Sequence, residues 1–134
     1  MEGLDHIAIT VVDVEITIDW YQRVLNAQLL YEELWRAGAL PVALLQVGTS
    51  RLSLHDFAAP TAPHAQVVTP GSADVCFRVS GPIDDIQASL TVAGVDVVEG
   101  PVPRPAATGA PGTSLYIRDP DGNLVELLST DATS

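Results

Sequence analysis

The feature that most restricts the fold is an internal repeat. His6-Ile7-Ala8-Ile9-Thr10-Val11 lies 68 positions before Asp74-Val75-Cys76-Phe77-Arg78-Val79, and a helical pattern follows each alternating segment. Gly48-Thr49-Ser50-Arg51-Leu52-Ser53-Leu54-His55 lies 71 positions before Asp119 to Glu126, and each is a turn feeding an alternating strand. A unit of one strand, one helix and three strands leaves one sheet face uncovered by its single helix. The repeat therefore predicts an α+β fold: two βαβββ modules forming a cupped mixed sheet, with the helices on the outer faces.

Taken in order, Leu4–Val12 reads as a strand, and Asp13 as the cap of a helix in which Ile16, Trp20, Val24 and Leu25 recur at helical spacing to about Asn26. Strands are predicted over Gln28–Leu34, Pro41–Val47 and Arg51–Asp56. Phe57–Gly71 loses periodicity, contains Pro60, Pro63 and Pro70, and reads as a linker. The second module opens with a strand over Ala73–Val79 and a helix from about Pro82 to Ala93, with Gly94 past its end. Strands follow over Val95–Val98, Ser114–Arg118 and Asn123–Leu128. The Pro/Gly-rich stretch from Gly100 to Gly112 is expected to be a long loop, a lid or a disordered segment. The chain as a whole, 1–134, is read as one domain, with modules at about 3–56 and 72–129 and the linker at 57–71.

Composition removes several classes of function. A net charge of -11 with six Lys or Arg residues repels phosphate backbones, so no nucleic-acid partner is expected. No apolar run approaches the roughly 20 residues that span a bilayer, so no membrane association is expected. No signal-peptide pattern opens the chain, and a soluble, cytoplasmic protein is the expectation. One cysteine, Cys76, excludes an intrachain disulfide and a cysteine-based zinc site.

Side chains alternate along strands, so the residues opposite the helix-facing apolar set share the open face. Those are His6, Ala8 and Thr10 on the first strand, Asp74, Cys76 and Arg78 on its counterpart, and Ser53, His55, Leu124 and Glu126 on the closing strands. The repeat equates His6 with Asp74 and His55 with Glu126. Two imidazoles and two carboxylates form a ligand set for a divalent transition metal, with Zn, Ni, Fe, Mn and Co as the candidates. Glu126 in particular is a charge inside an apolar strand, which is costly unless paired or metal-bound. Taken singly, each has an ordinary alternative as a hydrogen-bonded or solvated side chain. Arg78 on the open face suits a substrate carboxylate or an internal ion pair. Arg104 in the Pro/Gly stretch suits a lid, and Tyr116 a hydrogen-bond donor or a packed ring. Cys76 reads as a small packed thiol.

The opening LDHIAITVVDVEITIDWYQRVL and the ending SLYIRDPDGNLVELLS resemble the vicinal oxygen chelate superfamily, which includes glyoxalase I, bleomycin-resistance proteins and extradiol dioxygenases. LSLHDF, TPGSADVCF and EGPVPRPAATGAPG resemble its glyoxalase-domain, virulence-associated lyase-like branch. That resemblance implies metal ligands at His6, His55, Asp74 and Glu126; in such a site Glu126 or Asp74 is expected to move a proton, with Arg78, Arg104 and Tyr116 as the substrate-binding residues read above. The resemblance implies glyoxalase-like lyase or isomerase chemistry on a small oxygenated molecule, usually in a homodimer. Extradiol-type dioxygenation and drug sequestration are its alternatives. Glyoxalase I has a His where Asp74 stands and a Glu where His55 stands, so this chain carries the same ligand types redistributed. Without Asp74, the remaining His6, His55 and Glu126 resemble the dioxygenase triad, and Asp74 then serves to hold a water or a ligand histidine.

Overall fold

Asp13 ends the first strand and starts the first helix. Its side chain accepts the Ile16 backbone N–H at 3.1 Å, satisfying one of the helix's free donors. In the computed structural model, which describes residues 1–131, this junction belongs to the first of two units, Met1–Ser72 and Ala73 onward. The first unit runs β1 (Ile7–Val11), α1 (Val14–Leu25), β2 (Gln28–Leu30), α2 (Glu32–Arg36), β3 (Ala43–Val47) and β4 (Ser50–Asp56). Its four-stranded sheet has the order β1-β4-β3-β2, with β1 and β4 parallel and the other pairs antiparallel. Ile9, Val11, Leu45, Leu52 and Leu54 are buried, as are Ile18, Trp20 and Tyr21 of α1. Each such burial contributes about 1.5–3 kcal/mol. Asn26, in the left-handed conformation, stops α1.

The second unit repeats the plan with β5 (Asp74–Arg78), α3 (Ile83–Val92), β6 (Glu99–Pro105), β7 (Pro111–Arg118) and β8 (Leu124–Ser129). Its sheet order is β5-β8-β7-β6, with β5 and β8 parallel. Leu115, Ile117, Val125 and Leu127 are buried, together with Ile83 and Leu90 of α3. The second unit is βαβββ and the first is the same plan with the short α2 inserted between β2 and β3; each is a mixed four-stranded sheet with helix, and the α+β expectation holds. Phe57–Gly71 contains neither helix nor strand. No helix among the described residues is long and apolar enough to cross a membrane.

Three boundaries depart from expectation. The strand expected over Gln28–Leu34 ends at Leu30, because Tyr31 turns left-handed and Glu32–Arg36 closes into a helical turn. Arg36 holds that turn by bonding Glu32 and Glu15 and lying 4.9 Å over the Trp35 ring. No strand forms over Val95–Val98. The stretch read as a Pro/Gly loop instead supplies β6 and the start of β7. Val98 and Ala106 direct their N–H groups to Tyr116 and Ala110, so by alternation Pro101, Pro103 and Pro105 turn their missing donors to the outer edge of an edge strand.

Candidate metal and substrate site

Glu126 stands at the centre of the open face of the second sheet. Its neighbours Val125 and Leu127 point to the core, while Cys76 lies directly across β5 and Tyr116 directly across β7. The carboxylate is half-buried, and the fully buried Ser114 hydroxyl donates to its Oε2 at 2.6 Å. Among the described residues no cation pairs with it. Partial desolvation, then the Glu126 charge, pushes the Cys76 thiol up to about 11, leaving it a neutral neighbour rather than a nucleophile.

Asp74 opens β5 on the same face, exposed and without a hydrogen bond to its side chain among the described residues. Arg78 closes that strand and donates to Thr130 Oγ1 at 2.6 Å, not to an acid. Arg104 belongs to β6 rather than to a lid. Its Nε donates to the Tyr116 hydroxyl at 2.9 Å, its Nη1 to the Pro103 carbonyl at 2.9 Å, and the guanidinium lies 5.6 Å over the Tyr116 ring. Glu126, Tyr116 and Arg104 are therefore brought together on one sheet face, with Asp74 and Arg78 at the two ends of its edge strand.

In the first unit, His6 sits one residue before β1 with Nδ1 at 2.8 Å from Asp5 Oδ1. Accepting from that nitrogen fixes the tautomer that leaves Nε2 as a lone-pair donor, the arrangement common behind metal-bound imidazoles. His6 in turn holds the Asp5 carboxyl below its ordinary range, through the hydrogen bond first and charge second. His55 lies opposite Thr10, and its Nδ1 is buried with no hydrogen-bond partner. A buried polar atom left unpaired costs about 1–3 kcal/mol. Imidazole nitrogens and carboxylate oxygens with uncommitted lone pairs are donors that suit a divalent transition metal. Among the described residues, no three or more His, Cys, Asp or Glu side chains are gathered where they could hold a metal ion.

The strand register corrects the repeat. In the first unit Ala8 pairs Ser53 and Thr10 pairs His55; in the second, Cys76 pairs Glu126 and Arg78 pairs Leu128. If His6 corresponds to Asp74, then Ala8 corresponds to Cys76, and the counterpart of Glu126 is Ser53. His55 then corresponds to Leu128, two residues farther along. The two equivalences, His6 with Asp74 and His55 with Glu126, do not hold together.

Sequence reading missed Ser114 and Asp5, and it placed Ser53 on the open face without giving it a role. For Ser114 a signal existed, since it precedes the alternating Leu115-Tyr116-Ile117 and so shares the Tyr116 face. Sequence reading found the turn that leads into β8 but missed the hydrogen bonds within it. There, buried Asp119 accepts from the Asn123 backbone and side-chain amides at 2.9 and 2.8 Å, and Asn123 Oδ1 accepts the Ala73 N–H at 2.9 Å. That clasp ties the start of β8 to the residue before Asp74.

Comparison with known proteins bears on this geometry. The sequence model of the Glyoxalase/Bleomycin resistance protein/Dioxygenase superfamily matches residues 3–127. Virulence protein STM3117 of Salmonella typhimurium is 40% identical over 128 residues, covering 95% of this chain and 83% of that protein. Its crystal structure superposes with a TM-score of 0.85 at 38% identity, covering 96% of this chain and 97% of that one. The glyoxalase domain-containing protein RDO1 of Mycosarcoma maydis is 40% identical over 129 residues, 96% of this chain and 69% of that protein. A fosfomycin resistance protein, FosX from Listeria monocytogenes, was crystallised with Mn(II) and 1S,2S-dihydroxypropylphosphonic acid. It matches with a TM-score of 0.65 over 96% of this chain and 92% of that one, and at 20% identity the likeness shows the fold alone.

Proposed function

The chain belongs to the Glyoxalase/Bleomycin resistance protein/Dioxygenase superfamily, and on that premise we propose that it is a metal-dependent lyase or isomerase of the glyoxalase type. Its substrate is a small oxygenated molecule. The observation that carries the reading is Glu126: a half-buried carboxylate between two core residues, held by Ser114 on one oxygen and matched by no cation among the described residues. His6, His55, Asp74 and Glu126 are the metal donors of this reading, in sites built within one chain or across a homodimer. A bound divalent cation, Zn, Ni, Fe, Mn or Co, supplies Lewis-acid polarisation of two substrate oxygens. Whichever of Glu126 and Asp74 the cation leaves free takes a proton from the substrate and returns it. Arg78, Arg104 and Tyr116 orient the substrate.

The test is metal content after dialysis against each candidate cation, for the wild type and for His6→Ala, His55→Ala, Asp74→Asn and Glu126→Gln. Unchanged content in all four variants sinks the proposal. A Ser53→Ala variant reads the register: loss of metal there with none at His55→Ala moves the fourth donor to Ser53. Turnover of the methylglyoxal–glutathione hemithioacetal by any loaded form supports the lyase. Oxygen uptake with Fe(II) assigns dioxygenation instead, and tight binding without turnover assigns sequestration.

A further inference from the structure

All six cationic side chains of this chain are arginines, set against 17 carboxylates. Arg23 and Arg36 lie on helices and pair with acids, Arg23 with Asp19 and Arg36 with Glu15 and Glu32. Arg51, Arg78, Arg104 and Arg118 lie on strands, and among the described residues none of these four is ion-paired. With acids in such excess, unpaired arginine is the outcome that needs a reason. Arg78, Arg104 and Arg118 share the Glu126 face of the second sheet, as the register fixes through Leu128, Val102 and Leu124.

Arg104 differs from the other two in how it is held. Its acceptors are neutral, a phenol and a peptide carbonyl, so its charge is oriented without being cancelled. Nη2 and the remaining Nη1 proton form an uncommitted edge, the one that fits a carboxylate or phosphonate bidentately. Pro103 and Pro105 flank it with fixed φ, and Tyr116 lies under the guanidinium, so little freedom is lost on binding. Glu99 and Glu126 act on it from beyond ion-pair range. Arg78 and Arg118 also have neutral acceptors, Thr130 Oγ1 at 2.6 Å and the Gly122 carbonyl at 3.3 Å, but each is an exposed side chain held by that single bond, with no aromatic ring against it among the described residues.

We propose that Arg104, braced by Tyr116, is the anchor for an oxyanion group of the substrate, so that the substrate is an acid carrying a carboxylate or a phosphonate. This rests on the reading of the Glu126 face as the site of a small-molecule enzyme and narrows its substrate class. It also predicts binding that does not require metal, since the anchor contains no metal donor.

The experiment is calorimetric titration of the full chain, both chelator-stripped and loaded with Mn(II), with succinate and separately with methylphosphonate. N-methylacetamide serves as the neutral comparison. At least one anion is expected to bind the stripped protein, and the arm that binds more tightly identifies the oxyanion. Arg104→Gln should weaken it about tenfold or more. Arg104→Lys should recover part of the affinity, and Arg23→Gln should leave it unchanged. Equal binding by wild type and Arg104→Gln, both shown folded by their urea midpoints, overturns the proposal. So does binding of neither anion, or loss through Arg78→Gln alone. Because metal content is read separately in Glu126→Gln, failure of the metal site leaves the anion result standing, and the reverse.

Discussion

Ser114 donates its hydroxyl proton to Glu126 across the β7–β8 pair at 2.6 Å, and the hydroxyl itself has no access to solvent. One carboxylate oxygen is thereby committed to the sheet. The other is turned to the open face, where Cys76 and Tyr116 are its cross-strand neighbours. A short donor to a charged acceptor in a partly desolvated place is worth more than an average hydrogen bond.

Removing that donor should be felt twice. Ser114→Ala is expected to lower unfolding free energy by about 1.5–3 kcal/mol in urea titrations, the range for a hydrogen bond to a charged group. Metal affinity should fall about 10–100-fold, as when a supporting partner of a ligand is lost. Stability loss with unaltered metal affinity would mean that Glu126 is not a ligand.

The Asp119–Asn123 clasp makes a prediction about register rather than chemistry. Asn123 is 2% exposed and bonds both Asp119 and the Ala73 backbone, so truncation leaves buried partners unsatisfied. Asn123→Ala should cost about 2–5 kcal/mol in the urea midpoint, summing lost bonds and orphaned groups. A loss under about 0.5 kcal/mol, the level of an ordinary surface change, would show that the turn does not hold β5 to β8.

Most of this architecture was legible because the alternation of Ile7-Ala8-Ile9-Thr10 and of Leu124-Val125-Glu126-Leu127 fixes which side chains face the helix. The fault in the repeat comes from its turns. Gly48-Thr49 joins β3 to β4, whereas Asp119–Asn123 joins β7 to β8, so matching turn to turn slides one closing strand against its parallel partner. Parallel register is a long-range property, and no local pattern encodes it. The missed β6 is a different failure. Proline at every second position, Pro101, Pro103 and Pro105, satisfies the rule for an edge strand, but composition alone reads it as a loop. Arg104 was consequently assigned to a lid when it belongs to the sheet.

The Cys76 thiol gives a pH signature in the metal-free protein. Partial desolvation first, and Glu126 second, raise it from an ordinary 9.0 to about 11. The folded state therefore holds this proton more tightly than the unfolded chain. The contribution to stability is complete below pH 9 and is lost as pH rises toward 11. Alkylation by iodoacetamide should stay slow at pH 8, although the residue is exposed, and accelerate with a midpoint near 11. Glu126→Gln removes the neighbouring charge and should shift that midpoint downward. A wild-type midpoint at or below 9.0 would contradict the pairing of Cys76 with Glu126.

Gly112 tests whether β6 positions Arg104. It pairs directly with Arg104 across the β6–β7 ladder. A Cβ there would lie 2.8 Å from the Arg104 carbonyl oxygen, 3.0 Å from that of Ser129 and 3.1 Å from a Leu128 methyl. Two of those atoms are backbone on flanking strands, so relief requires the edge strand to move rather than a side chain to rotate. Gly112→Ala should therefore destabilise by about 1–3 kcal/mol, the usual cost of overpacking. It should also weaken succinate or methylphosphonate binding, because the guanidinium travels with its backbone. Metal content should be unaffected, since His6, His55, Asp74 and Glu126 lie on other segments. Destabilisation with full anion affinity would show that the guanidinium finds its ligand independently of the strand, and that the bracing by Tyr116 and Pro103 is not what positions it.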